Sequence, residues 1–502
     1  MYPGAYDPAR PAVVTADGNT TLTYGQLEEN SLRLADHLRS AGLRRGDHLA
    51  LLADNDPRVL EVSWAAMRSG LYLTAVNHHL TAEEAAYIVR DCGAAALIVS
   101  GALDELGARV GASVPEVTHR LGFDDGSYDA ALREASPEPP DVQPRGADML
   151  YSSGTTGRPK GIEPALPDGD IRTDPTTYQL LFQPMYGFGE DTVYLCPAPL
   201  YHAAPLRFCH TITATGGTVV LMKSFDAQGA LAAIERFKVT HSQWVPTMFV
   251  RMLKLPREVR ERYDTSSMKV AVHAAAPCPL EVKRRMMEWW GPVLYEYYSS
   301  TEGNGITFIG PEEWLRKPGS VGRAGLLGEL RVCDEAGKVL PPGETGVVYF
   351  ERDELPFRYH HDDDRTREAQ HPDHPNWTTT GDIGHVDEDG YLYLTDRKAF
   401  MIISGGVNIY PQEIEDCLVL HPAVADVAVV GVPDAEMGES VRAVVQAAEG
   451  AVAGAELGRE LIAYVRERIA HYKVPRDVVF VPALPRTPTG KLAKGKLRSA
   501  VQ

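Results

Sequence analysis

The 502-residue sequence has no paired-cysteine motif, no long apolar run and no surplus of positive charge. Its six cysteines, Cys92, Cys196, Cys209, Cys278, Cys333 and Cys417, are scattered without a CxxC pair, and they read as buried or half-buried free thiols suited to a reducing cytoplasm. No apolar stretch approaches the roughly 20 residues that a membrane span needs, so no integral membrane association is expected. Met1 to Arg10 carries Pro3, Asp7 and Pro8 and no apolar core, so this stretch is not expected to act as a signal peptide. With 68 acidic against 50 basic residues the formal charge is −18, histidine counted as neutral. That sign opposes nonspecific binding to nucleic acid or to an anionic membrane.

What is present is an alternation of strand-like and helix-like stretches through the first three quarters of the chain. Thr23 and Gln26 form a capping-box pattern ahead of a helix whose face is marked by Leu27, Leu34 and Leu38 and which can stop at Gly42. Leu49 to Ala53 and Ala95 to Ser100 suit buried strands. Such alternation predicts α/β layers on largely parallel sheets. From about Gly319 short β-like pieces separated by turns, such as Asp334 to Gly337 and Pro341 to Gly343, predict a β-rich part over about 319–396. The His-, Asp- and Arg-dense stretch Arg358 to Asn376 reads as a solvated surface loop, and its spacing matches no compact metal-ligand set. After Arg397 the pattern restarts, with a strand over Val424 to Val432 and a helix marked by Leu457, Leu461, Val465 and Ile469 and ended by Pro475. The expected division is therefore 1–396 and 397–502, the second being about the size of an independent unit.

The strongest local signal is Tyr151-Ser-Ser-Gly-Thr-Thr-Gly-Arg-Pro-Lys-Gly161. Gly154 and Gly157 allow tight curvature, so successive N–H groups can face one concavity. Ser152, Ser153, Thr155 and Thr156 add hydroxyls and Lys160 a point charge, a combination suited to polyphosphate. It is not a Walker A loop, which needs a four-residue gap and a Gly-Lys-Ser/Thr ending.

This stretch closely resembles the signature loop of the adenylate-forming superfamily, which includes acyl-CoA synthetases, peptide-synthetase adenylation domains and firefly luciferase. Four further stretches resemble its other signatures, in order: Tyr295 to Gly303; Thr380 to Ile383 with Tyr391 to Arg397; Ser404 to Pro411 with Glu413 and Glu415; and Pro485 to Lys491. The resemblance implies a large N-terminal domain of two related α/β subdomains plus a β-rich subdomain, and a small mobile α+β C-terminal domain. It implies ATP, Mg²⁺ and coenzyme A as cofactor or substrates, beside a small-molecule carboxylic acid, in a monomer or homodimer. By resemblance, Thr301 contacts the α-phosphate and Glu302 coordinates Mg²⁺, a suitable task for a hard carboxylate oxygen. Tyr298 lies against adenine beside the Ala274-Ala275-Ala276 loop, and Asp382 and Arg397 reach the ribose. Lys491 bridges carboxylate and α-phosphate during adenylation, where a positioned ammonium stabilises charge building on phosphoryl oxygens. Gly405 and Gly406 line the channel through which the thiol arrives after the C-terminal domain rotates. Lys494, Lys496 and Arg498 read as a solvated basic tail.

The sequence departs from the family at four places, one being Glu163 to Asp170 after the first loop, where an apolar stretch and a histidine are frequent. Ala399 stands at the hinge, where Asp or Lys is usual; Ser299 and Ala274 stand where glycine is common. For the acyl pocket the candidates by position are His202 (beside Tyr201 at a frequent gate), Trp244 to Thr247, His273, Ser299 and Ser300, and none of these is a basic residue matched to a second carboxylate. The expected activity is acyl-adenylate formation followed by transfer to coenzyme A. The competing acceptors are a carrier-protein thiol, an amine or an unusual nucleophile, and a catalytically silent nucleotide-binding scaffold would have lost Lys160, Glu302, Asp382 or Lys491.

Overall fold

The computed structural model describes residues 2–152, 159–397, 400–404, 407–434, 437–485, 492, 494 and 497, the side chain of Arg397 excepted. The capping box forms as the sequence predicts: Thr23 Oγ1 accepts from the Gln26 N–H and the Gln26 side chain accepts from the Thr23 N–H. The helix Tyr24–Ser40 then buries Leu27, Leu34 and Leu38.

Two mainly parallel sheets dominate the N-terminal part among the described residues. In the smaller one, His48–Leu52 lies between Tyr72–Val76 and Ala94–Val99, and His119–Gly122 and Ala147–Asp148 form the edges, all pairings being parallel. The larger sheet is nine-stranded, with a parallel centre formed by Val193–Cys196, His241–Trp244, Val270–His273 and Leu294–Ser299. Strand alternation sends neighbouring residues to opposite faces. Cys196, Val270, Val272, Ala274 and Tyr297 pack with the helices Thr177–Tyr186 and Ala203–Ala214. Leu195, Trp244, Ala271 and Leu294 pack instead with the helices Ala227–Phe237, Pro246–Leu253 and Leu280–Trp290.

A small antiparallel sheet joins Leu150–Ser152, Lys160–Glu163 and Arg358–Tyr359. Another antiparallel sheet contains Glu329–Cys333, Gly346–Glu351, Asp382–Val386 and Leu392–Arg397, with Trp377–Thr378 beside Gly346–Glu351. A further sheet follows, built on the long pair Val424–Asp434 and Gly438–Ala447, with the helices Pro411–Leu418 and Ala455–Arg466 packed on it. No helix among the described residues is long and apolar enough to cross a membrane.

Two expectations are corrected. The helix Ala455–Arg466 stops short of Ile469: the Arg468 N–H bonds the Val465 carbonyl only three residues back, which tightens the turn, and a 3-10 helix follows over His471–Lys473. Arg358 to Asn376 is no simple solvated loop. Tyr359 is buried with Ile162, Phe357 and Ala369, and Asp362 caps the short helix Asp363–Glu368. Its charged residues flank one apolar anchor that pairs with a strand almost two hundred residues earlier in the chain.

Candidate active site

In parallel α/β sheets, ligands collect beyond the carboxyl ends of the strands. That rule accounts for the place of eight of the residues singled out in the sequence. His202 follows Val193–Cys196, Thr247 follows His241–Trp244, Ala274 to Ala276 follow Val270–His273, and Ser300 to Glu302 follow Leu294–Ser299. The Ala274–Ala276 loop leaves the sheet under strain. Ala275 adopts φ 75°, a left-handed conformation that costs a residue with a Cβ about 1–2 kcal/mol. Such outliers persist where the surroundings demand them, and they cluster at ligand sites.

The strand that leads into the Ser300–Gly303 turn contributes Tyr298 to a polar cluster. Tyr298 Oη donates to Asp382 Oδ2 at 2.7 Å, and Thr380 Oγ1 donates to the same oxygen at 2.8 Å. Asp382 is buried, and its backbone is in register with Arg397 on the neighbouring strand. Tyr298 also stacks on Phe350 at 6.0 Å between ring centroids. Asp382 is thus a carboxylate held on a rigid strand, with an aromatic face beside it.

Within the turn, Glu302 Oε1 accepts a hydrogen bond of 2.9 Å from Tyr359 Oη. The Lys160 ammonium lies 5.5 Å from the centroid of the same tyrosine ring, within cation–π range. Lys160 is held by its strand, where it pairs with Ser152 and is followed by Ile162 opposite Tyr359. A carboxylate and an ammonium are therefore both fixed against one tyrosine. Among the described residues no three His, Cys, Asp or Glu side chains converge as a metal cage.

The turn itself is braced from inside. Ser299 Oγ donates to the Gly305 carbonyl at 2.7 Å and Ser300 Oγ to Asn304 Oδ1 at 2.8 Å. Gly303, at φ 64°, closes the turn through its N–H to the Ser300 carbonyl. Ser299 and Ser300 thus spend their hydroxyls on the shape of the turn. Two other acyl-pocket candidates need correction. Trp244 and His273 point to the face opposite Tyr297, because each lies one residue out of phase with the side chains facing the helix Ala203–Ala214. Trp244 packs on Phe249 and Trp290 and donates to Ser242. His273 is fully buried, 3.5 Å from the Glu296 carboxylate, which Lys283 engages at 2.6 Å. Burial, with Lys283 next, holds the His273 imidazole well below its usual pKa. Thr247 is exposed, and half-buried His202 sits at the N-terminus of the helix Ala203–Ala214.

Residues 4–358 match the AMP-binding enzyme family, and residues 413–491 match the AMP-binding enzyme C-terminal domain. The chain belongs to the AMP-binding enzymes. Its relatives include a feruloyl-CoA synthase of Amycolatopsis sp, 35% identical over 97% of this chain and 95% of the relative. The long-chain-fatty-acid–CoA ligase FadD13 of Mycobacterium tuberculosis is 32% identical over 98% of this chain and 95% of that protein. Among solved structures, the anthranilate CoA ligase AuaEII in complex with anthranoyl-AMP superposes with a TM-score of 0.85 at 26% identity, covering 100% of this chain and 99% of that one. The expected α/β architecture with a large N-terminal and a small C-terminal part accords with these matches.

Several expected residues of this AMP-binding enzyme lie outside the described residues: Ser153, Gly154, Thr155, Thr156 and Gly157 of the first loop, Ala399 at the hinge, Gly405 and Gly406, and Lys491. Lys494, read as part of a solvated tail, is buried, with its ammonium 2.7 Å from Glu415 Oε1 and 5.3 Å from the Phe400 ring centroid. The same Glu415 oxygen accepts from the Val429 N–H. Beside it, burial pushes the Asp416 carboxyl up to about 7. Sequence reasoning also missed Tyr359, whose only signal was an aromatic residue amid charges.

Proposed function

We propose that this AMP-binding enzyme is an AMP-forming acid–thiol ligase that activates a carboxylic acid with ATP and transfers the acyl group to coenzyme A. A substrate carboxylate oxygen attacks the α-phosphorus, the bond to the β-phosphate breaks, and pyrophosphate leaves with the electron pair. The thiol sulfur then attacks the acyl carbon, the bond to the phosphate oxygen breaks, AMP leaves, and the thiol proton passes to solvent. The observation that supports this reading is the pair of clusters reached from one turn: Tyr298–Asp382–Thr380, from the strand leading into it, and Lys160–Tyr359–Glu302, from Glu302 within it.

In this reading Asp382 accepts the ribose hydroxyls, with Arg397 beside it, and Tyr298 and Ala274 to Ala276 border the adenine. The first loop, from Ser152 through Ser153 to Gly157, holds the phosphates with Lys160, and Thr301 meets the α-phosphate. The donor set fits a magnesium ion: a single carboxylate, Glu302, beside a phosphate site matches the habit of Mg²⁺ of sharing its coordination between one or two carboxylates, phosphates and water. When bound, that ion neutralises charge on the departing pyrophosphate. Tyr359 orients Glu302, Lys160 offsets phosphate charge, and Lys491 brings a cation to the two reacting anions. Withdrawal of Lys491 by rotation of residues 397–502 about Ala399 then admits the thiol past Gly405 and Gly406.

The names of the relatives span aromatic and long-chain acids, so the substrate is sought across both. Pyrophosphate release over short, medium, long and aromatic acids, with and without coenzyme A, tests the reading. Acid-dependent release with thioester as product is expected. Release indifferent to every acid would refute it.

A further inference from the structure

The interior that Tyr297 enters behind the Ser300–Gly303 turn is packed with rings, yet several of its polar groups have no partner among the described residues. Two residues back along the strand from Ser299, about 7 Å at extended spacing, Tyr297 faces the helix that begins beyond His202. Its ring stacks at 6.2 Å and 20° on Phe208 of that helix, and Phe182 lies 4.7 Å from Phe208. Into this aromatic wall projects the Gln243 side chain, 6% exposed. Gln243 Nε2 donates to Tyr297 Oη at 3.0 Å, while Gln243 Oε1 is buried without a partner among the described residues. The hydroxyls of Tyr186 and Tyr194, at the edge of the same ring cluster, are also without one.

A buried amide with one end unpaired costs about 1–3 kcal/mol, which a ligand group can restore. Whichever way round the amide is placed, one of its ends remains free. A hydroxyl meets either case, since it both donates and accepts. The surrounding rings favour a flat apolar body over a bulky or charged one.

We propose that Gln243 and Tyr297 are specificity-determining residues for an aromatic acid bearing a ring hydroxyl, read at the inner end of the acyl pocket. The inference rests on the adenylation reading above. A site built to hydrogen-bond a substrate hydroxyl discriminates strongly against the analogue that lacks it, because its own polar groups are then left unpaired.

The test compares kcat/KM for pyrophosphate release with 4-hydroxycinnamate and with cinnamate, in the unmodified enzyme and in Gln243→Leu and Tyr297→Phe. The unmodified enzyme is expected to favour the hydroxy acid by about tenfold or more, and each variant to reduce that ratio by at least about fivefold. Cinnamate turnover in each variant reports that it has folded, and Tyr297→Phe keeps the ring. Equal use of both acids by the unmodified enzyme, or an unaltered ratio in the variants, overturns the pocket assignment alone. No turnover with any acid in the wider panel overturns the adenylation reading, and this one with it.

Discussion

Replacing Tyr359 with phenylalanine removes one hydroxyl and leaves its ring in place. The substitution breaks the 2.9 Å hydrogen bond from that hydroxyl to Glu302 Oε1. A hydrogen bond to a charged group contributes about 1.5–3 kcal/mol, and each 1.4 kcal/mol is roughly a factor of ten in rate. If that bond serves wholly to hold Glu302 in the reacting arrangement, kcat/KM for ATP falls by about ten- to a hundredfold. The ring keeps its packing on Ile162, Phe357 and Ala369 and its place beside Lys160, so the unfolding midpoint should move little. The assay is pyrophosphate release across an ATP titration at several magnesium concentrations. Loss of kcat/KM for ATP, partly recovered at high magnesium, with the KM of the acid unchanged, is the expected pattern. Parental kcat/KM in a stably folded Tyr359→Phe protein would refute the claim that this hydroxyl positions Glu302.

Three further outcomes are expected. Glu415→Gln leaves the buried Lys494 ammonium without its counter-charge; because Lys494 follows Lys491 by three residues, adenylation should fall by about tenfold or more while thioester formation from supplied acyl-adenylate falls less. Equal losses in the two half-reactions would assign Glu415 to general stability. Asp416→Asn tests a pH dependence whose sign is fixed by the raised carboxyl. The folded chain holds this proton up to about 7 while the unfolded chain releases it near 3.8, so the parent loses stability as pH rises between those values. The variant should therefore gain on the parent in urea midpoint from about pH 5 to about pH 8, and an identical difference at both would exclude the titration. Ala275→Gly relieves a left-handed alanine and should raise stability by up to about 1 kcal/mol; a fall of that size instead would show that the Cβ packs.

The local devices were legible because their partners are close in sequence. Thr23 and Gln26 sit three positions apart, and the ordered signatures pointed to Tyr298, Asp382, Lys160 and Glu302, which the fold gathers around one turn. What escaped depends on distant partners. Tyr359 is recruited by a strand pairing with Ile162, and nothing in its own neighbourhood of His360, Asp362 and Asp363 announces burial. Lys494 looks like a tail residue until Glu415, far upstream, is seen beneath it. The acyl pocket turned on strand phase. Trp244 and Gln243 are adjacent, and only the face that meets the helix Ala203–Ala214 decides that Gln243, and not Trp244, projects toward Tyr297.

The most direct measurement is of Lys491→Ala with the two chemical steps assayed apart: pyrophosphate release from ATP and acid, and thioester formation from supplied acyl-adenylate and coenzyme A. The account predicts that the first step collapses by several orders of magnitude while the second proceeds at close to the parental rate. Matching losses in both, or a parental first step, would contradict a single nucleotide site served by a lysine that arrives for one reaction and withdraws for the next.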